Sequence, residues 1–220
     1  MVEEHCKNIV EFKAGIDRAL SILVKLGKIN CRAKQASVEP LRYLQAALPF
    51  YSPINQPYLG EMLVCSELVV GSTYNNYEHI EVTHKYLDEI NSNSAKGINS
   101  ALYFKVGKFP LYMACEGKNR VSAFRKLKKG IFCVLKSTEY PRPYTLSFHR
   151  VIGREGVYFL YCRDPRFVKN GENYRQIYFP KYTLPLLKTY GVSEGQPIKK
   201  RETIMSKRQM LEEFSRYFNS

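Results

Sequence analysis

The residues whose types and spacing could do chemistry are Cys115-Glu116-Gly117-Lys118-Asn119-Arg120 and the Val121-Ser122-Ala123-Phe124-Arg125-Lys126 that follows them. An apolar run, Phe109 to Ala114, precedes the set, and Val121, Phe124 and Leu127 follow at helical spacing. That order predicts strand, glycine turn and helix. A glycine there lets the backbone turn tightly and leaves the first helical N–H groups free for an anion. Arg120 adds a rigid fork of donors suited to phosphate or carboxylate. An ordinary strand-to-helix connection with a surface arginine satisfies the same pattern. Glu116 is the candidate carboxylate for a divalent cation, since metal ions stabilise the attacking and leaving oxygens of a phosphodiester displacement. A salt bridge from Glu116 to Lys118 or Arg120 is the alternative, and Glu67, Glu78 and Glu81 stand behind it as weaker metal candidates.

A second set lies further on. Arg163, Arg166, Lys169, Arg175 and Lys181 interleave with Tyr174, Tyr178 and Tyr182, and Lys199-Lys200-Arg201 forms a basic patch. Cations on a backbone and rings under bases can hold a single nucleic-acid strand; tyrosines covering the edge of a core give the same pattern. The histidines offer no H-x-x-x-H pair, so no zinc site is suggested; His149-Arg150 could place an imidazole near phosphate, with a structural histidine as the alternative. Neither G-x-x-x-x-G-K-[ST] nor G-x-S-x-G occurs.

Lys and Arg outnumber Asp and Glu by 34 to 20, giving a formal net charge of +14. Cations near phosphates release condensed counterions, so the expected partner is a nucleic acid, with DNA favoured. Six widely spaced cysteines without a C-x-x-C pair predict reduced, buried thiols in a cytoplasmic protein. No signal-peptide core and no run of membrane-spanning length is present in the sequence, so no membrane partner is expected.

The positioning elements follow from periodicity. Residues 8–29 read as an amphipathic helix ending near Gly27, which either packs on the core or binds a protein partner. A second helix is predicted over 38–48, with Pro40 in its first turn, and Pro49, Pro53 and Pro57 mark a linker. This predicts a helical N-terminal subdomain (1–55), a core (56–138) and a basic C-terminal extension (139–220). Within the core the spacing predicts one or two strands over 59–70, a helix over 78–90, strands over 101–106 and 109–115, a helix ending near Gly130, and a strand over 131–135. Beyond it, two or three strands fall in 144–161, a short helix at 183–190, a turn at 191–197 and an amphipathic helix over 206–218.

The order of elements around Glu116-Gly117-Lys118-Asn119-Arg120 resembles the ParB/sulfiredoxin superfamily over about residues 59–138. In that family a strand runs into an acidic or small residue, Gly, two variable positions and Arg at a helix start. The resemblance implies an α+β fold with a ParB/sulfiredoxin-like core, N-terminal helices and a C-terminal β-rich and helical extension. It implies a nucleotide such as ATP, held by Gly117, Lys118, Asn119 and Arg120. It also implies a possible Mg²⁺- or Mn²⁺-dependent DNase or ATPase in which Glu116 and Arg120 are catalytic and Glu116 holds the metal. Sulfiredoxins carry their reactive cysteine directly after the motif glycine, where this chain has Lys118, so that activity is not expected. The Gly-Glu-Arg-Arg box of partition ParB proteins is matched only at Gly117 and Arg120, and no helix-turn-helix region follows. Small plasmid-borne ParB-like proteins that interfere with conjugative transfer share this build. A non-catalytic DNA- or partner-binding protein of a conjugation or partition apparatus, as in fertility inhibition, is the alternative.

Overall fold

The first helix, α1 (Val2–Lys25), turns Cys6, Ile9, Val10, Ile16 and Leu20 inward at helical spacing. It begins six residues earlier than periodicity predicts, because Glu3 and Glu4 favour its N-terminal end. The computed structural model describes residues 1–28, 37–72, 81–199, 204–206 and 209. Helix α2 (Pro40–Ala47) starts where Glu39 accepts a hydrogen bond from the Arg42 amide at 3.0 Å, with Pro40 at the first helical position.

Strand β1 (Tyr58–Cys65), a 3₁₀ turn (Ser66–Leu68) and β2 (Val69–Val70) come next. Helix α3 (His84–Ala95) is capped by the Thr83 hydroxyl, which accepts from the Tyr86 amide at 3.2 Å. It therefore starts later than the 78–90 helix read from the sequence, part of which lies outside the described residues. β3 (Ala101–Val106) falls where expected. β4 (Tyr112–Glu116) starts three residues late, because the Phe109 amide closes a turn onto Val106 O at 3.0 Å and Pro110 has no N–H to donate.

Helix α4 (Val121–Lys126) stops short of Gly130, since Lys128 adopts a left-handed φ of 50° and the Lys129 amide folds back onto Phe124 O. β5 (Gly130–Thr138), β6 (Leu146–Arg150), β7 (Tyr158–Cys162) and β8 (Tyr174–Ile177) follow. Helix α5 (Pro180–Tyr190) begins at its proline, and β9 (Ser193–Glu194) occupies part of the predicted turn. The predicted helix over 206–218 lies outside the described residues except at 206 and 209.

The architecture is α+β with two mixed sheets, ordered β1-β5-β3-β4-β2 and β8-β7-β6-β9. β3 lies between β4, its antiparallel neighbour, and β5, its parallel one, so the chain leaving β4 crosses the end of β3 through α4 to reach β5. The turn at 117–120 is the start of that crossover. Strand alternation divides the two sides of the first sheet. Ala101, Tyr103 and Ala114 face α3 and α4 in a core with Val121, Phe124, Ile131 and Cys133. Phe104, Val106 and Met113 face a larger core that also holds α1, α2, the second sheet and α5.

Polar anchors reinforce that larger core: the Tyr43 hydroxyl donates to Ile9 O at 2.6 Å, and the Thr183 hydroxyl to Ala47 O at 2.6 Å. The apolar face of α1 is thereby buried, leaving Ile22 and Leu26 exposed at its end. Among the described residues no helix is long and apolar enough to cross a membrane.

Candidate phosphate site

Gly117 takes a left-handed φ of 71°, which a glycine adopts without strain, and the Arg120 amide closes a 3₁₀ turn onto Gly117 O at 3.2 Å. The end of β2 presses against this turn. The Ser72 amide donates to Lys118 O at 3.0 Å, and a Cβ on Gly71 would meet Val121 Cγ2 at 2.5 Å. Gly71 thus lets two backbones approach closely, a role that an isolated glycine after an apolar run did not reveal.

Arg120 is directed into the fold. Its Nη1 donates to Ser94 Oγ at 2.9 Å and its Nη2 to Asn99 O at 2.7 Å, bracing the end of α3 and the loop into β3. Lys118 is exposed, and Asn119 O accepts from the Ser122 hydroxyl at 3.3 Å. Glu116 is exposed at the end of β4 and makes no ion pair with Lys118 or Arg120 among the described residues. Glu67 is paired with Lys7 at 3.4 Å, Glu81 is exposed, and Glu78 lies outside the described residues. No group of three His, Cys, Asp or Glu among the described residues converges as a metal site.

One helical turn further, Ser122, Arg125 and Lys126 face Glu11, Ala14 and Arg18 of α1 across a cleft of about 390 Å³. Arg125 Nη2 donates to Val69 O at 2.7 Å, while its Nε is buried without an acceptor among the described residues. Burial pushes the Arg125 pKa down and the Asp17 carboxylate pushes it back up; an arginine remains a cation throughout.

Beneath the cleft lies a buried ionic network. Lys13 and Asp17, 2% and 0% exposed, form a salt bridge one helical turn apart. Lys13 also donates to Gly71 O at 2.6 Å and Ser37 Oγ at 3.1 Å. Asp17 accepts from the Val38 amide at 2.9 Å and the Ser37 hydroxyl at 2.8 Å. Burial pushes the Lys13 pKa down and Asp17 opposes it. The network fixes α1 to the Gly71 turn on which Lys118 and Val121 rest. Its sequence signal was a Lys and an Asp four apart among the apolar positions of α1, a spacing that brings them together on one helical face.

The basic and aromatic residues of 163–182 scatter. Arg166 is held by Asp164 at 2.8 Å and Glu139 at 3.3 Å. The Arg175 guanidinium lies 4.9 Å over the Phe50 ring, and Tyr182 stacks on Phe12 at 4.2 Å in the core edge. Arg163, Lys169 and Lys199 are exposed, and Lys200 and Arg201 lie outside the described residues. Both His149 ring nitrogens are engaged, with Ser147 Oγ and Gln196 O at 2.8 Å each, so that imidazole is structural.

Burial pushes the Cys6 and Cys133 thiols up to about 12, and Cys115 is raised by burial and then by Glu116. Protein-family models, curated proteins and solved structures were all compared with this chain, and none matches it.

Proposed function

We propose that this chain binds nucleic-acid phosphate, DNA foremost, beside the strand-turn-helix of a ParB/sulfiredoxin-like core, as a non-catalytic binding protein of a transfer or partition apparatus. The observation that carries the reading is a cleft in which the exposed cations Arg18 and Lys126 stand together with Arg125 and Ser122. A phosphate oxygen is an acceptor that matches guanidinium and ammonium N–H donors, and such charge-assisted hydrogen bonds are the strong ones. The net charge of +14 supplies long-range attraction for a polyanion. Exposed Lys118 extends the cationic surface, and Arg120 acts by positioning the turn. The succession of β3, β4, the glycine turn, α4 and β5 within one sheet also supports the family reading.

The test is a titration of labelled duplex DNA at several salt concentrations with wild type, Arg18→Glu and Lys126→Glu. Affinity should fall steeply with salt, and each substitution should reduce the log–log slope by about one. Affinity indifferent to salt and to both substitutions would sink the proposal. Hydrolysis of ATP and plasmid nicking with Mg²⁺ or Mn²⁺ are followed in the same samples. Binding without turnover is expected, whereas turnover abolished by Glu116→Ala would make the site a nuclease or nucleotidase centre.

A further inference from the structure

The first sheet ends in a long open edge. β1 pairs only with β5, and among the described residues nothing pairs with its outer side. The other sheet edges are short or engaged: β2 and β9 have two residues each, and on β8 the Gln176 side chain is held at both ends by the Met205 backbone. β1 has eight residues, and Tyr58, Leu59, Met62 and Leu63 are exposed along it, Leu63 at 64%. An edge strand ordinarily carries lysine, proline or a covering segment, because its unpaired N–H and C=O groups are a template for another strand. Here the protection is confined to one end, where the register slips between Tyr58 and Gly60 and Gly60 takes a φ of 115°.

The direction of the β1 backbone follows from its neighbour. On β5 the Phe132 amide donates to Asn91 Oδ1, and Gly130 O accepts from Asn91 Nδ2, both at 2.9 Å. Gly130 and Phe132 therefore turn their backbone groups away from β1, whereas Ser137 turns its amide toward Pro57 O at 2.9 Å. Alternation then aims Ile131, Cys133 and Leu135 at their ladder partners Val64, Met62 and Gly60. Glu61, Leu63 and Cys65 are left with N–H and C=O directed outward.

We infer that a second copy of this chain pairs with this edge, β1 antiparallel to β1 about a twofold axis at Leu63. In that register Leu63 stands opposite Leu63, Glu61 opposite Cys65 and Met62 opposite Val64, so every outward N–H and C=O from 61 to 65 finds a partner. Neighbouring registers fit worse. An axis at Met62 sets Cys65 against Leu59 in the slipped segment, one at Glu61 brings two carboxylates face to face, and one at Val64 sets Glu61 against Glu67.

Charge selects the same partner. From Tyr43 to His84 the chain has no lysine or arginine, although the whole carries 34 of them. β1 lies inside this stretch, and the one cation of the β1–β5 ladder, Lys136, stands opposite Tyr58, outside the paired segment. Two protomers of net charge +14 can therefore meet along a strand free of cations, with no like charges opposed across the axis. Pairing also covers Leu63 beside Phe132 on one face of the sheet and Met62 on the other. An edge contact of this length is smaller than a standard interface, so the dimer is a concentration-dependent one.

The test is sedimentation equilibrium of the full chain without nucleic acid, over an about hundredfold range of concentration, which should show a reversible monomer–dimer equilibrium. Leu63→Lys sets two cations face to face at the axis and should weaken the dimer by about tenfold or more. Its melting temperature should stay at the wild-type value, since Leu63 is solvent-exposed. Ile22→Lys adds the same charge at the exposed end of α1 and should leave the dimer unchanged. Oxidation of Glu61→Cys reads the register, because it places a thiol opposite Cys65 of the second copy. A disulfide-linked dimer should form, with the link between positions 61 and 65 mapped by mass spectrometry, and this link should be lost in Glu61→Cys/Cys65→Ser.

A chain that stays monomeric at every concentration overturns the inference and leaves the edge to a strand of another protein. A dimer indifferent to Leu63→Lys overturns it as well, as does a link mapped elsewhere. The phosphate reading is judged on duplex binding by Arg18→Glu and Lys126→Glu, so either can fail alone.

Discussion

The guanidinium of Arg120 lies against Gly117: a Cβ on that glycine would come within 3.0 Å of Arg120 Nε and 3.2 Å of Ala101 Cβ. Glycine and arginine are therefore a mutually fitted pair, and the arginine's outer nitrogens reach across to Ser94 and Asn99. Arg120→Ala should destabilise the chain by about 2–4 kcal/mol, because two hydrogen bonds from a charged donor are lost. Amide exchange should accelerate around 94–101, and duplex affinity should change by no more than about twofold. A tenfold loss of affinity at unchanged stability would show that Arg120 meets the ligand directly.

Gly117→Ala tests the same contact from the other side. Its left-handed φ of 71° disfavours a side chain, and the new methyl must displace Arg120. The expected cost is about 1–3 kcal/mol in chemical denaturation. A neutral effect would mean that the turn relaxes without disturbing the arginine.

The legible part of the fold was set by local chemistry. β3 alternates Phe104 and Val106 against Ala101 and Tyr103, and the periodicity alone marked its ends. Glu116 to Arg120 was visible as strand, glycine and helix, and the glycine indeed turns there. The direction of Arg120 was not visible, because it depends on Ser94 and Asn99, more than twenty residues away in the chain and brought close only by the β3–β4 pairing. Lys13 and Asp17 were hidden among the apolar residues of α1, since their burial depends on Gly71 and Val38 arriving from elsewhere. Tyr174 read as part of a basic loop, and only its register with Tyr161 reveals a shared sheet face.

The Lys13–Asp17 pair makes an asymmetric prediction. Removing one partner leaves the other charge buried, at a cost of about 3–5 kcal/mol for Asp17→Leu or Lys13→Met alone. The combined Lys13→Met/Asp17→Leu variant should recover part of that loss, as no lone charge remains, although Gly71 O and the Val38 amide still lose partners. Denaturant midpoints of the three variants decide it. Strict additivity would mean that the two charges are not coupled in the fold.

Thiol labelling checks the absence of an activated cysteine in the described part of the chain. Cys6 and Cys133, buried and pushed up to about 12, should react only when the protein unfolds. Cys115 is exposed, yet its pKa is raised by partial burial and then by the adjacent Glu116 carboxylate. It should therefore label more slowly than free cysteine near pH 8, and Glu116→Gln should speed it modestly. Mass spectrometry after a short alkylation pulse assigns the sites. A Cys115 that outpaces free cysteine would reveal a stabilised thiolate, a nucleophile incompatible with the present geometry.

Asp164 gives the pH dependence a sign. The Arg166 fork hydrogen-bonds its carboxylate and holds the pKa below the usual aspartate range. A depressed carboxylate pKa contributes stability above the unfolded value, near pH 4, and that contribution disappears as pH falls through the lower folded value. Wild type should therefore exceed Asp164→Asn in stability at pH 7, and the gap should close in acid. Arg166 is solvent-exposed, so salt should narrow the gap as well. The same substitution loosens Arg166, which Glu139 still engages at 3.3 Å, and removes one negative charge. Duplex affinity at low salt should consequently rise in Asp164→Asn if Arg166 can reach phosphate, and this gain should vanish in Asp164→Asn/Arg166→Gln. A stability gap that stays constant from pH 7 into acid would show that the Asp164–Arg166 contact acts through packing rather than charge.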